Sequence, residues 1–223
     1  MSRYKRATIP WEKVETVMLD MDGTLLDLAF DNFFWRELVP SRYALNRNLS
    51  EDAARRELTR RYKEIEGQLE WYCIDHWSEV LGLDIRALKS EHREKVRYLP
   101  RATDFLAFVR GHRKRILLVT NAHRGTLAIK VAQTGLDREV DGMISSHDYR
   151  VPKQTSAFWE KLSVEEDFDP ARTLLVEDSL SVLEAARSFG LKYTVAIRQP
   201  DSGEPPREIA EFPSVDNIDD LSQ

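Results

Sequence analysis

The sequence predicts an α/β protein, with a parallel sheet covered by helices and an all-helical unit inserted after the first strand. Five short apolar segments rich in β-forming residues occur along the chain, and from the second onward they alternate with helical patterns. Such alternation is typical of right-handed crossovers in a parallel sheet. The first two segments are separated by about a hundred residues, far more than one crossover helix needs.

The predicted strands and their connecting helices follow from apolar runs and from residues that end helices. The strands are Thr16–Asp20, Ile116–Thr120, Met143–Ser145, Thr173–Glu177 and Tyr193–Ile197. The helices between them are Thr126–Thr134, Thr155–Glu165 and Leu180–Phe189. Gly135 and Gly190 directly follow two of these helices, and glycine commonly ends a helix because it adopts a left-handed backbone without steric cost.

The interval between the first two strands has helical patterns throughout. Four helices are predicted there: Asn32–Leu38, Ser50–Gly67, Tyr72–Leu81 and Asp84–Val96. The second is well marked, since Ser50 precedes two acids in the first turn and basic residues follow late. We therefore predict a core formed by residues 1–28 and 98–223 and a cap formed by residues 29–97. The tail from Gln199, rich in proline and acidic residues, is expected to wrap loosely over the surface.

Composition and charge exclude several classes of protein. The chain has 223 residues, of which 42% are hydrophobic, enough to bury a sizeable core. A net charge of -5 and a pI near 5.6 lack the basic excess of a nucleic-acid binder. The single cysteine, Cys73, excludes an internal disulfide, and no Cys/His spacing resembles a zinc site. No apolar run approaches the length of a membrane span or a signal-peptide core, so we expect a cytoplasmic protein without membrane or nucleic-acid partners.

Two carboxylates at the end of the first strand are the strongest functional signal. Asp20 and Asp22 lie two residues apart, so strand geometry directs both side chains to the same side. The carboxyl end of a parallel strand is where open α/β sheets bind ligands. Close negative charges there call for a cation between them, because unpaired buried charge is costly. The alternative is an ordinary strand end followed by an Asp-Gly turn.

Three further strand ends carry groups that suit phosphate chemistry. Thr120 and Asn121 can donate hydrogen bonds to phosphate oxygens, Lys153 supplies a cation, and Glu177-Asp178 is a second acidic pair. Each has a structural alternative, since Thr120-Asn121 can cap the next helix, Lys153 can be solvated and the acids can begin a helix. Their order and placement together predict one phosphate site.

The chain resembles the haloacid dehalogenase-like (HAD) hydrolase superfamily. The matching motifs, in the expected order, are Asp20-Met21-Asp22-Gly23-Thr24, Thr120-Asn121, Lys153 and Glu177-Asp178. The resemblance spans essentially the whole chain and implies a Rossmann-like core with a helical cap inserted after the first strand. Within the superfamily the sequence is most similar to the bacterial GMP/IMP nucleotidases, through the segments Asp20–Pro40, Trp71–Ile85, Arg115–Asp137 and Pro200–Gly203.

This resemblance implies a phosphomonoester hydrolase with Mg²⁺ as its cofactor. Asp20 is expected to be the nucleophile that forms an aspartyl-phosphate, and Asp22 the general acid and base. The metal ligands are expected to be Asp20, the backbone carbonyl of Asp22, and Asp178. Glu177 is expected to bind the metal either directly or through water.

The same resemblance assigns roles to the remaining motif residues. Lys153 is expected to balance the charge of Asp20 and of the phosphoryl oxygens. Thr120 and Asn121 are expected to donate hydrogen bonds to those oxygens. Dehalogenase members lack an acid at the second aspartate position, so Asp22 favours phosphate over halide substrates.

The resemblance alone implies the substrate, which is expected to be a small-molecule phosphomonoester, namely a purine nucleoside 5′-monophosphate such as GMP or IMP. A sugar-phosphate mutase, another small-metabolite phosphatase and a catalytically silent binding protein are the alternatives. Six aromatic residues of the predicted cap could hold a purine or could build a small helical core: Phe33, Phe34, Trp35, Trp71, Tyr72 and Trp77. The sequence leaves the oligomeric state open.

Overall fold

A six-stranded parallel sheet forms the centre of the computed structural model, which describes residues 5–222. The strands are β1 (Thr16–Leu19), β2 (Arg115–Thr120), β3 (Gly142–Ser145), β4 (Thr173–Glu177), β5 (Tyr193–Ile197) and β6 (Ser214–Val215). Their spatial order is β3-β2-β1-β4-β5-β6, and every neighbouring pair is parallel. The predicted α/β class is therefore confirmed.

Strand β1 lies in the middle of this sheet and is buried on both faces. Val17 and Leu19 belong to one apolar cluster and Met18 to the other, which explains the unbroken apolar sequence of the strand. Leu19 is opposite Leu118 of β2 and Val176 of β4, so these three strands end close together. This register brings the predicted motifs to one edge of the sheet.

Ten α-helices surround or extend the sheet in the described part of the chain. They are α1 (Ala29–Phe33), α2 (Val39–Arg47), α3 (Glu51–Glu64), α4 (Ile74–Leu81), α5 (Ile85–Glu91), α6 (Ala102–Gly111), α7 (Arg124–Thr134), α8 (Ser146–Tyr149), α9 (Ser156–Glu165) and α10 (Leu180–Phe189). A π-helical turn, Phe34–Leu38, joins α1 to α2, so the predicted helix Asn32–Leu38 is part of a longer helical run. Among residues 5–222, no helix has the length and apolarity needed to cross a membrane.

Helices α1–α5 lie between β1 and β2 in the chain, as predicted for an inserted helical segment. Residues 29–97 are called the cap segment below. Its apolar side chains do not form a separate core, because Phe30, Phe34 and Trp77 share one cluster with Val17 of β1. The division into a core of residues 1–28 and 98–223 and a cap of residues 29–97 stays a prediction, and residues 1–4 and 223 lie outside the described part.

The tail from Gln199 is more ordered than the sequence predicts. It adds strand β6 to the sheet edge and buries Phe212, Val215, Ile218 and Leu221. These residues recur at every third position among prolines and acids, a spacing that the expectation of a loose tail overlooked.

The start of the tail also contacts both connections between the core and the cap segment. Ser202 donates hydrogen bonds to the carboxylate of Asp27 from its backbone N–H and its hydroxyl, at 3.1 and 2.6 Å. Arg97 donates to the Ser202 hydroxyl at 3.2 Å and pairs with Asp27 at 3.0 Å. Leu28 donates its backbone N–H to the Pro200 carbonyl at 3.0 Å. Residues 200–202 therefore bind the chain where it enters and leaves the cap segment.

Candidate active site

The predicted motif residues converge at the carboxyl ends of β1, β2 and β4. Asp20 directly follows β1 and donates its backbone N–H to the Val176 carbonyl of β4 at 3.0 Å. Thr120 is the last residue of β2 and Glu177 the last of β4. Lys153 reaches them from the loop between α8 and α9. The structure thus brings together side chains from loops that are far apart in the sequence.

Lys153 is the centre of a buried charge cluster. Its Nζ lies 2.5 Å from Asp20 Oδ1 and 2.7 Å from Glu177 Oε2, and it donates to the Val119 carbonyl at 2.7 Å. Burial acts to lower the pKa of Lys153, but the two ion pairs outweigh it and hold that pKa above its ordinary value. Lys153 is therefore a fixed cation with a side chain only 1% exposed, which rules out a merely solvated lysine.

Three carboxylates meet beside Lys153, with oxygens of Asp20, Glu177 and Asp178 within 4.8 Å of one another. Burial raises the pKa of Asp20 to about 6, and repulsion by Glu177 adds to the rise. Burial followed by repulsion from Asp20 raises the pKa of Asp178 to about 6 as well. One lysine therefore does not balance the local negative charge. Carboxylate oxygens without nitrogen or sulfur donors fit a hard divalent cation such as Mg²⁺.

Glu177 and Asp178 differ in how their oxygens are used. Oε2 of Glu177 accepts from Lys153, and Oε1 accepts from the backbone N–H groups of Asp178 and Ser179 at 3.1 and 3.0 Å. The Asp178 carboxylate lies 3.9 Å from Arg207. Glu177 is thus already engaged at both oxygens, whereas Asp178 is better placed to offer one to a cation.

Thr120 and Asn121 are buried where β2 ends, and both hold neighbouring loops. Asn121 accepts from the backbone N–H of Lys153 at 2.9 Å and donates to Gln154 Oε1 at 3.1 Å. The Thr120 hydroxyl accepts from the Ala122 N–H at 3.0 Å and keeps its own proton for donation. The structure contradicts the helix-capping alternative, because the N-cap residue of α7 is His123.

Asp22 is held by a lysine that the sequence analysis did not identify. Lys130 of α7 places Nζ 2.5 Å from Asp22 Oδ1 and also pairs with Asp31 of α1. Asp31 in turn pairs with Lys89 of α5 at 2.8 Å. Burial raises the pKa of Asp22 to about 6 although Lys130 acts in the opposite direction. The available signal was weak: Lys130 and Lys89 each occupy the buried face of an amphipathic helix, where a lysine is rarely found without a partner.

The acidic group, Lys153, Thr120 and Asn121 line a cavity of about 380 Å³ between the sheet edge and the cap segment. The cap segment contributes Trp35, Trp71 and Tyr72 to the wall. Phe34 and Trp77 are instead buried in the apolar cluster, so the core interpretation holds for these two. The predicted aromatic set is therefore divided: three members line the cavity wall, two lie in the core, and Phe33 does neither, because it is half-buried against His92 and Lys95.

Gln154 joins the core to the cap segment beside this cavity. Its Nε2 donates to the Gly67 carbonyl at 2.8 Å and to the Tyr72 hydroxyl at 3.3 Å. Its Oε1 accepts from Asn121. The phosphate-binding candidate Asn121 is therefore one hydrogen bond away from a cap contact.

A second group of potential metal ligands lies outside the cavity lining, at the junction of the cap segment with α7 and α8. Cys73, His123 and His147 offer ligand atoms within 4.8 Å of one another. Their sulfur and nitrogen donors suit softer ions than Mg²⁺. The hard-cation site is thus confined to the acidic group beside Lys153 in the described part of the chain.

Comparisons with known proteins identify the family and the fold of this chain. The model of the family described as haloacid dehalogenase-like hydrolase matches residues 14–190. GMP/IMP nucleotidase YrfG of Escherichia coli (strain K12) is 38% identical over 209 residues, covering 94% of each chain. The crystal structure of a HAD phosphatase from Thermococcus onnurineus aligns with a TM-score of 0.78 at 21% identity, covering 93% of this chain and 96% of its own.

A dehalogenase shares the same fold. L-2-haloacid dehalogenase from Xanthobacter autotrophicus aligns with a TM-score of 0.65 at 18% identity, covering 94% of this chain and 97% of its own. At these identities the two solved structures show the fold alone. The fold therefore does not separate phosphate chemistry from halide chemistry, and that distinction depends on the site.

Proposed function

Because the chain belongs to the haloacid dehalogenase-like hydrolase family, we propose that it is a magnesium-dependent phosphomonoesterase. The observation that carries this proposal is the buried pairing of Asp20 with Lys153 beside Asp178. A nucleophilic carboxylate, a fixed cation and a hard-cation site meet there at one end of a cavity. The fit of oxygen donors supports Mg²⁺ held by Asp20, the Asp22 backbone carbonyl and Asp178, and the ion would neutralise charge between the nucleophile and the phosphate dianion.

In the first proposed step, an oxygen of Asp20 attacks phosphorus and the ester P–O bond breaks. Asp22 gives its proton to the departing ester oxygen, so the product leaves as a neutral alcohol. Lys153 keeps one Asp20 oxygen fixed at 2.5 Å, which limits the orientations of the nucleophile. Thr120 and Asn121 donate hydrogen bonds to the phosphoryl oxygens as charge moves onto them.

In the second step, water attacks the phosphorus of the aspartyl-phosphate on Asp20. Asp22, deprotonated by the first step, accepts the proton of that water, and the bond between Asp20 and phosphorus breaks to release inorganic phosphate. This cycle requires an acid that lines the cavity next to the nucleophile. Asp22 meets that requirement, which supports phosphate over halide chemistry.

We propose purine nucleoside 5′-monophosphates, GMP and IMP, as substrates. The support is the 38% identity to a protein named GMP/IMP nucleotidase, together with the aromatic wall formed by Trp35, Trp71 and Tyr72. Flat aromatic side chains suit the faces of a purine ring. The division into core 1–28 and 98–223 and cap 29–97 belongs to the same proposal, since the cavity lies between them. A cytoplasmic location is part of the same proposal.

A phosphate-release screen of purine, pyrimidine and sugar monophosphates with Mg²⁺ tests this function. We expect GMP and IMP to be the best substrates, EDTA to abolish release and added Mg²⁺ to restore it. Asp20→Asn should lower turnover by at least about 1,000-fold, because an amide is a poor nucleophile. Asp52→Asn, an exposed change in α3, is the matched control and should be neutral.

Three outcomes would contradict the proposal. An isomeric phosphate ester in place of free phosphate would indicate a mutase. A lack of release from every monoester would favour a silent binding protein. Retention of most activity by Asp20→Asn would remove the nucleophile assignment.

A further inference from the structure

Four buried or half-buried charges of alternating sign run from the candidate site into the cap segment. They begin at Asp22 and continue through Lys130 and Asp31 to Lys89. The side chains of Lys130 and Lys89 are 1% and 2% exposed. The Lys89 ammonium also lies 4.3 Å from the ring centre of Phe34, so the row ends against an aromatic ring.

Buried charges of this kind contribute little net free energy to the stability of a fold. Removing charges from water costs several kcal/mol per ion, and apolar residues of similar volume are often as stabilising. Helices α5 and α7 place Lys89 and Lys130 beside apolar residues such as Ile85 and Leu127, where leucine or methionine would fit the pattern. Because packing alone does not explain two buried lysines, the row of ion pairs that ends at Asp22 indicates a further role.

The row crosses the junction between the two parts of the chain. Lys130 belongs to α7, which follows β2, whereas Asp31 and Lys89 belong to α1 and α5 of the cap segment. Lys130 makes its pair with Asp31 only while α1 is packed against α7. Packing of the cap segment is therefore connected to Asp22 through Lys130.

Lys130 does not line the cavity, although Asp22, Asp31 and Lys89 do. Its ammonium binds Oδ1 of Asp22, so Oδ2 is the oxygen that remains for a substrate or a water molecule. This position favours a role in which Lys130 acts through Asp22 and not on the substrate directly.

We propose that Lys130 is a positioning residue that holds Asp22 in its proton-transfer orientation, and that Asp31 and Lys89 make this orientation depend on packing of the cap segment. The inference rests on the proposed function, because it needs Asp22 as the proton carrier. It predicts that replacing Lys130 lowers the reaction rate most for leaving groups that need a proton in order to leave.

The test compares two leaving groups in Lys130→Met. A nucleoside alkoxide needs a proton in order to leave, whereas p-nitrophenolate leaves without one. With GMP we expect kcat to fall about 100-fold or more, within the range typical of general acid–base catalysis, and KM to change little. With p-nitrophenyl phosphate we expect the initial burst of p-nitrophenolate to change less than about fivefold, while later turnovers slow because water attack also uses Asp22.

Two further variants keep this test decisive. Lys63→Met, at an exposed position of α3, is the control and should leave both substrates unaffected. Asp31→Asn retains the Lys130–Asp22 pair and removes only the charge of the carboxylate in the cap segment. It should therefore show the same difference in rate loss between GMP and p-nitrophenyl phosphate, but a smaller one, and it provides the test if Lys130→Met fails to fold. Thermal unfolding of each variant checks the fold.

Equal losses of rate with both substrates would show that Lys130 has only a structural role. That result would overturn the inference but leave the proposed function in place. An unchanged kcat with GMP would overturn it too. Wild-type protein that hydrolyses p-nitrophenyl phosphate but not GMP would remove the proposed nucleotide substrate, and the comparison then uses an alkyl monophosphate that is hydrolysed. Wild-type protein that hydrolyses neither would overturn both proposals.

Discussion

Individual acidic residues in this site have distinct electrostatic surroundings although they lie within a few ångströms. Glu177 has both oxygens engaged by Lys153 and two backbone N–H groups, whereas Asp178 lies near Arg207 at 3.9 Å. Burial is the main reason that the pKa of Glu177 rises to about 7, with Lys153 acting against it and Asp178 adding to the rise. These surroundings predict different roles for Glu177 and Asp178.

We expect Asp178→Asn to raise the Mg²⁺ concentration for half-maximal activity at least about tenfold, equivalent to about 1.4 kcal/mol of binding free energy. Glu177→Gln should instead lower the free energy of unfolding by about 1–3 kcal/mol, because it removes one partner of the buried Lys153. Magnesium titrations of phosphate release and thermal unfolding measure the two effects. If Glu177→Gln raised the magnesium requirement as much as Asp178→Asn, Glu177 would be a direct ligand.

At the residue scale, the sequence predicted which residues come together in the candidate site but not all of their contacts. Asp20, Asp22 and Asp178 follow from residue type and strand ends, since parallel strands bring their carboxyl ends together, whereas Lys153, in the loop between α8 and α9, was assigned through the family motifs. Lys130 follows from neither, because an ion pair between residues 108 positions apart leaves no local pattern. Only the fold reveals the partner of a buried lysine.

The turn after β1 lies directly against the acidic group of the candidate site. Gly23 has φ +82, and a Cβ added there would lie 2.8 Å from Pro200 Cβ and 3.0 Å from Asp178 Oδ2. The turn therefore needs glycine for both its backbone conformation and its space. The side chain of Asp178 and the start of the tail both pack against this position.

We expect Gly23→Ala to destabilise the protein by about 2 kcal/mol or more, since left-handed backbone strain of about 1–2 kcal/mol adds to the contact with Pro200. Displacement of Asp178 should also raise the magnesium requirement. Thermal unfolding and magnesium titration measure both changes. Gly111→Ala is the control, because a Cβ there meets nothing within 4 Å in the described structure. Equal behaviour of the two variants would contradict this account of the turn.

Elements with strong local patterns were predicted well, and those fixed by tertiary contacts were not. Helix α3 has the Ser50 N-cap that its sequence indicates, with Oγ accepting from the Ala53 N–H at 3.3 Å. The π-helical turn Phe34–Leu38 has no comparable signal, yet it carries Trp35 to the cavity wall. Strand β6 was missed because two residues are too short a run to show alternation.

The whole molecule combines a two-part architecture with an apolar cluster that extends through both parts. Phe34 and Trp77 of the cap segment pack in the same cluster as Leu106 and Leu118 of the core. Chain order made the insertion predictable, but it does not reveal whether the inserted helices have a hydrophobic centre of their own. Shared burial couples the stability of the two parts.

We therefore expect urea unfolding to give one cooperative transition, with far-UV circular dichroism and tryptophan fluorescence coincident. Phe34→Ala should lower the midpoint of that entire transition, with a loss of about 3–5 kcal/mol typical of a buried phenylalanine. The exposed Leu45→Ala is the matched control and should change the midpoint little. A separate early transition of the cap segment would contradict shared stability.

The contact of residues 200–202 with Asp27 and Arg97 has a consequence for truncation of the tail. Because Ser202 donates to Asp27 and accepts from Arg97, loss of the tail would leave the buried Asp27 carboxylate with fewer partners where the chain enters and leaves the cap segment. A chain cut before Pro200 would therefore lose hydrogen bonds at both connections, together with the pairing of β6 to the sheet.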